Sequence, residues 1–367
     1  MRTTTRAAAI AGVALAATTA AAGPAAASGT HHTADGAVFV QTNGTGGNKI
    51  VSYDRNLHQV GTYATGGLGT PATTAVDPLA SQGGLTLDRA HGLLYAVNAG
   101  SNTITVFGVH GARLTRLQVI GSGGSFPVGV AVHDHLVYVL NAHDGGSIQG
   151  FRRYGDRLVA LPGTHRKLAL KATTDSPGQV AFSPDGRHVL VTIKGASRID
   201  VFAVTASGGI SGKPVRYEAP GKTPFALDFD RFGHVVVAEA GTNAAATFDL
   251  RRDGRLVPLA EVGTGGTATC WVTGVNGTFY LSNAATGTIS AFRTKADGSL
   301  QNLGTTHTVG GGTIDTATSA DGRTLYAETG ATPDGVEAFR IGHDGKLTPA
   351  GSASIPGGVN SEGIAAY

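Results

Sequence analysis

Leu94-Tyr95-Ala96-Val97-Asn98 is a short apolar run that ends on a polar turn residue. The pattern returns as Val137-Tyr138-Val139-Leu140-Asn141, Val189-Leu190-Val191-Thr192, Val235-Val236-Val237-Ala238-Glu239, Phe279-Tyr280-Leu281-Ser282-Asn283 and Leu325-Tyr326-Ala327-Glu328. Runs of this length, rich in β-branched and aromatic residues, read as strands. After each comes another run ending on an aromatic, and with one more upstream the aromatics are Tyr53, Phe107, Phe151, Phe202, Phe248, Phe292 and Phe339. Their spacings of 54, 44, 51, 46, 44 and 47 residues fit a repeat in which each unit is a four-stranded propeller blade. Seven aromatics imply seven blades.

Upstream of the repeated run lies a first strand, seen as Gly84-Leu85-Thr86-Leu87, Val128-Gly129-Val130-Ala131-Val132, Gln179-Val180-Ala181-Phe182, Phe225-Ala226-Leu227-Asp228-Phe229, Trp271-Val272-Thr273-Gly274-Val275 and Ile314-Asp315-Thr316-Ala317-Thr318. Blade one begins directly with the second-strand pattern Ala37-Val38-Phe39-Val40, so it needs a first strand from elsewhere. Glu362-Gly363-Ile364-Ala365-Ala366, at the C-terminus, supplies it. Pairing the last strand into the first blade removes the open edges that invite aggregation. An open β-sandwich array explains neither the count of seven nor the displaced last strand. The fold expected over residues 36–367 is therefore an all-β, seven-bladed propeller closed by its C-terminal strand.

Turn chemistry agrees with this register. Asp185-Gly186, Asp253-Gly254, Asp297-Gly298, Asp321-Gly322 and Asp344-Gly345 each separate two apolar runs, where a tight hairpin needs positive φ. These aspartates read as turn residues rather than ligands. The 56 glycines are concentrated between strands, so the high glycine content marks turns and not disorder.

The N-terminus has a different logic. Arg2 and Arg6 precede an Ala-rich apolar run over residues 7–22, followed by Gly23-Pro24 and Ala25-Ala26-Ala27. That order predicts a secretory signal peptide over residues 1–27 with cleavage after Ala27, and a flexible tail over residues 28–35. The run is too short and too rich in Ala and Thr for a membrane span, and Arg2 and Arg6 are not adjacent as a twin-arginine signal requires. Cleavage takes two of the 28 basic residues and none of the 25 acidic ones, lowering the net charge from +3 to +1. That balance argues against a nucleic-acid partner. The product expected is a secreted monomer that leaves the membrane after cleavage. Cys270 is the only cysteine, so no intramolecular disulfide forms and the hydrophobic core must carry the stability.

In a propeller the first strands line a central channel, and the loops leading into them share one face with the ends of the second strands. Polar residues at the first position are Gln82, Gln179, Asp315 and Glu362, with Cys270 beside them. At the second they are Asn98, Asn141, His143, Lys194, Glu239, Asn283 and Glu328. Residues 65–82, between blades one and two, form an unusually long connection, the kind that covers a site or merely links blades. A carboxylate beside a lysine or histidine could act as general base toward a carbonyl, or could equally be a structural ion pair. No HExxH, Gly-x-Ser-x-Gly or phosphate-loop pattern occurs, so no metal or cofactor is expected. His31-His32 falls in the tail, and Cys270 before Trp271 reads as a buried thiol.

Ser183-Pro184-Asp185-Gly186-Arg187, Tyr95-Ala96-Val97-Asn98-Ala99-Gly100-Ser101-Asn102-Thr103-Ile104 and Cys270-Trp271-Val272 resemble segments of the lactonase-type propellers. That group includes the propeller-type 6-phosphogluconolactonases and the carboxymuconate cyclases, and the resemblance extends over residues 37–367. It implies a polar cluster drawn from a Gly-Pro-Arg-His-like approach to one first strand, a His at another, and a Glu after a second strand. Here the approaches read Gly221-Lys222-Thr223-Pro224-Phe225-Ala226, without Arg or His, and Ser176-Pro177-Gly178-Gln179, without His. Glu239 is matched to the family Glu. Asp77-Pro78-Leu79-Ala80-Ser81-Gln82 and Lys194-Gly195-Ala196-Ser197 are similar to a secreted branch of the group.

The expectation that follows is an extracellular lactonase-like propeller that hydrolyses or isomerises a small lactone or related carbonyl compound at the channel mouth. Lys194 would stabilise charge, Glu239 would be the base, and Gln82, Asn98, Asn141, His143, Gln179, Asp315 and Glu362 would contact the ligand. The alternative is a non-catalytic binding or scaffold propeller that uses the same face.

Overall fold

The computed structural model describes residue 1 and residues 36–70, 78–171, 175–330, 334–358 and 361–367. The expected signal peptide, the tail and Asp77 lie outside the described residues apart from Met1. Seven antiparallel sheets follow one another along the chain. The innermost strands are Leu85–Asp88, Pro127–His133, Pro177–Phe182, Pro224–Phe229, Thr269–Val275 and Thr313–Thr318 for blades two to seven. Blade one takes Ile364–Ala366 as its inner strand, paired antiparallel to Ala37–Gln41 with Val40 opposite Ile364 and Val38 opposite Ala366. Gln41 N–H donating to Gly363 C=O (2.9 Å) and the reciprocal Ala37–Tyr367 pair (both 3.1 Å) complete this closure.

Blade three alone departs from four strands. Its outer edge is split into Arg157–Ala160 and Arg166–Lys167, both paired with Ser147–Tyr154. No helix among the described residues is long and apolar enough to cross a membrane.

The repeated aromatics are core residues. Tyr53, Phe107, Phe151, Phe202, Phe248, Phe292 and Phe339 are all buried. In five blades the outer pairing slips by one residue at this aromatic, between Ser52/Tyr53, Val106/Phe107, Thr247/Phe248, Ala291/Phe292 and Ala338/Phe339. Such a bulge adds local twist and spoils the edge as a template for further strands. In three blades a second-strand tyrosine then pins the blade to its neighbour. Tyr138, Tyr280 and Tyr326 donate to the backbone carbonyls of Gly208, Gly345 and Arg55 at 2.8, 2.9 and 2.9 Å. The Asp-Gly turns behave as read: Asp185, Asp253, Asp297, Asp321 and Asp344 each accept the backbone N–H two residues on, at 3.0–3.1 Å. The glycines that follow have φ between 65° and 86°.

Candidate functional site: the central channel

Alternation along the inner strands decides what the channel presents. The first residues of blades three to seven carry a register shift, for example between Pro177/Gln179 and Pro224/Ala226, which re-aims the residues that follow toward the axis. The result is a cavity of about 520 Å³ walled by all seven blades. Gln82 and Gln179 stand at the end where the inner strands begin; Arg89, Phe182, Phe229 and Thr318 stand where they finish.

The beginning end is crossed by the chain itself. Residues 79–82 lie over it, anchored to blades one, three, four and six. Glu362 accepts the backbone N–H of Leu79 (Oε2, 2.6 Å) and of Ser81 (Oε1, 3.1 Å). The Lys194 ammonium donates to the Ala80 carbonyl and sits 4.4 Å from the Phe225 ring centroid. Trp271 Nε1 donates to Ser81 C=O (2.8 Å), and Ser81 Oγ donates to Val128 C=O (2.7 Å). Gln82 N–H donates to Gly178 C=O (2.9 Å), while its side chain closes a two-way bridge with Val272 N–H and C=O, both 2.9 Å. Gly178 must be glycine here, because a Cβ would come within 2.1 Å of the Phe225 carbonyl oxygen.

This cap predicts its own energetics. Glu362→Gln replaces one carboxylate oxygen with an NH2 group that faces a backbone N–H. It should cost about 1–3 kcal/mol, the usual penalty for an unmet buried donor. Denaturant melts of the two proteins measure it.

Below the cap, side chains at one level bridge neighbouring blades. Gln179 Oε1 accepts Leu227 N–H (2.6 Å), Asp228 Oδ2 accepts Gly274 N–H (2.7 Å), and Thr273 Oγ1 donates to Thr316 C=O (2.9 Å). Asp228 Oδ1 also accepts Phe229 N–H at 2.7 Å. Burial raises the Asp228 pKa from 3.8 to about 6, outweighing the two backbone N–H groups that favour its charge. Asp315, a second carboxyl of the cavity wall, accepts the N–H of Thr316 at 2.9 Å. At the far end Arg89 is tied by Nη2 to the carbonyls of Thr318 (2.7 Å) and Ala366 (2.8 Å).

Of the residues singled out in the sequence, Gln82, Gln179 and Asp315 line the channel. Lys194 and Glu362 are buried and hold the cap. Glu239 is buried on blade five, where Oε2 accepts from Thr242 Oγ1 (3.2 Å) and lies 3.8 Å from Lys222 Nζ. Burial and the nearby Glu261 raise its pKa to about 7 against the pull of Lys222. Asn98 braces its own blade through Thr103 and Thr105 and accepts from Asn48 at 3.0 Å. Asn141 reaches Ser122 C=O and Ser147. His143 stacks on Phe126, ring centroids 4.0 Å apart, beside a separate cavity of about 290 Å³. Asp228 was not among these residues. Its only sequence signal is an acid inside an otherwise apolar first strand, two residues before the turn.

No family model and no curated protein matches the chain. Solved structures do. A provisionally assigned 6-phosphogluconolactonase from Bacteroides fragilis superposes with a TM-score of 0.68 at 16% identity, covering 92% of this chain and 99% of that one. The periplasmic gluconolactonase of Pseudomonas aeruginosa gives 0.67 at 16% identity, over 89% and 98%. Virginiamycin B lyase from Staphylococcus aureus gives 0.53 at 15% identity, over 75% and 85%. The two lactonase-named structures and the lyase carry different chemistry on one scaffold, as propellers commonly do. By its fold this chain is a seven-bladed β-propeller, similar in architecture to these solved structures.

Proposed function

We propose that this protein is a secreted, lactonase-like propeller that takes a small lactone or related carbonyl compound into the central channel, with Asp228 as its general base. The observation that carries the proposal is the channel wall itself. A carboxyl raised to about 6 and the side chain of Gln179 line the same cavity of about 520 Å³, a size suited to a small molecule. A base poised near neutral pH is what proton abstraction from water requires. Water bound at Asp228 would give its proton to the carboxylate as its oxygen attacks the lactone carbonyl. The Gln179 NH2 group would donate to the carbonyl oxygen as negative charge develops. Collapse breaks the ring C–O bond, and the proton on Asp228 passes to the departing alkoxide. In this reading the base is Asp228 rather than Glu239, and Lys194 serves the cap.

Titration of acid release from a panel of aldonolactones and muconolactones tests this. Turnover that disappears in Asp228→Asn and weakens in Gln179→Ala supports the proposal. Turnover indifferent to both substitutions overturns the site. Saturable ligand binding without turnover would establish the second reading, a binding propeller, which the consumption of Lys194 and Glu362 by the cap favours. Mass spectrometry of the exported chain, expected to begin at Ser28, tests secretion.

A further inference from the structure

Away from the channel, an inter-blade cleft of about 320 Å³ opens where the inner hairpins of blades six and seven and the outer turn of blade seven meet. Arg293, Arg323 and His343 line it together with Asn276 and the backbone of Gly342 and Gly345. One acid, Asp321, also lines the cleft, where Arg323 and Arg55 both favour its charge, and Asp344 lies nearby; each is already served. Asp321 accepts from Ser319 Oγ (2.7 Å) and Arg323 N–H (3.1 Å) and pairs with Arg55 across to blade one (3.4 Å). Asp344 accepts Lys346 N–H (3.1 Å) and lies 3.8 Å from the Lys346 ammonium. Among the described residues, the guanidinium groups of Arg293 and Arg323 form no ion pair with a carboxylate. Two positive charges are therefore in surplus in one concave site.

The repeat provides an internal control for this geometry. Arg152 occupies in blade three the place that Arg293 occupies in blade six, directly after the buried aromatic. Arg152 spends its Nη2 on Ser207 C=O at 2.7 Å, in the turn of the next blade. Arg293 leans over the equivalent turn, near Gly345, and no hydrogen bond from its guanidinium to a described residue forms. The blade six–seven junction has kept the cation and left its donors facing the cleft.

We propose that this cleft binds a small oxyanion, the phosphate or sulfate group of a small molecule, between Arg293 and Arg323. Planar guanidinium groups match tetrahedral oxyanions through paired N–H donors. Asn276, whose Nδ2 reaches Gly322 C=O at 3.3 Å, forms the floor on the blade six side. The site is independent of the channel chemistry and stands if that reading fails.

Calorimetric titration with inorganic phosphate, and separately with sulfate, at low ionic strength tests the assignment. The wild type should bind one equivalent of phosphate saturably. Arg293→Gln combined with Arg323→Gln should weaken binding by about a hundredfold, near tenfold for each charge-assisted contact removed. Arg340→Gln, an exposed cation of blade seven outside the cleft, should bind as the wild type does. Melting curves without phosphate show whether the double variant is folded, and single substitutions serve if it is not. Absence of saturable binding to the wild type overturns the proposal. So does unchanged affinity in the folded double or single variants, or an equal loss in Arg340→Gln.

Discussion

Asp228→Asn is expected to lower lactone turnover by about 10²- to 10⁴-fold, the range by which a positioned general base accelerates proton transfer. The substitution keeps the shape of the side chain and an acceptor for one of the two backbone N–H groups it now serves. Folding should therefore survive while the base is lost. The pH profile is a second, independent readout. Only the carboxylate can take a proton, so turnover should rise with pH, level off above about 6, and show no such step in the variant.

The same group makes stability depend on pH with the opposite sense. Its folded pKa, about 6, stands above the ordinary value of 3.8, so folding takes up a proton between them. The stabilising contribution is complete below about pH 3.8 and is lost as the pH rises through about 6. Melting temperatures of wild type and Asp228→Asn, compared across that window, should diverge through this term alone. A pH-independent difference would show that Asp228 does not titrate there.

Removal of residues 364–367 should abolish cooperative folding. Ile364, Ala365 and Ala366 are each less than 7% exposed and cover Ala37–Gln41, whose five residues are at most 1% exposed. Without them the backbone of Ala37 loses its paired hydrogen bonds with Tyr367 and Phe39 loses its ladder partner Ala365, Ile364 leaves the core it shares with Val40, and Arg89 loses the Ala366 carbonyl. A buried strand becomes a bare edge, the form that pairs with other chains. Loss of the sharp thermal transition, with aggregates in size-exclusion chromatography, is the expected result. A truncated chain that melts sharply as a monomer would mean that six complete blades hold the ring without closure.

The strand repeat was legible because each strand is encoded locally. Second strands such as Leu93–Asn98 and Leu136–Asn141 follow from apolar runs between turns, and the displaced C-terminal strand follows from a blade that began one strand late. The polar positions at channel level were half legible for the same reason. Counting to the start of each first strand reaches Gln82, Gln179 and Asp315 without knowing where their side chains point. The split edge of blade three was not legible, because a two-residue strand such as Arg166–Lys167 carries no period.

The roles of these residues belong to contacts that no local pattern encodes. Gln82 meets Val272 and Trp271 meets Ser81 across 190 positions, and Glu362 meets Leu79 across 283. Such partners are chosen when the ring closes, by which blades come to face one another over the channel. Asp228 illustrates the difference. Sequence places it in an inner strand, but its raised pKa comes from desolvation by the surrounding blades, which outweighs the Gly274 N–H of the next one. Sequence alone determined the seven blades, their turns and the means of closure, because strand and turn propensities act over a few residues. Only the tertiary structure decided which polar groups seal the channel and which remain open to it, because burial and long-range hydrogen bonds exist only once the ring is closed.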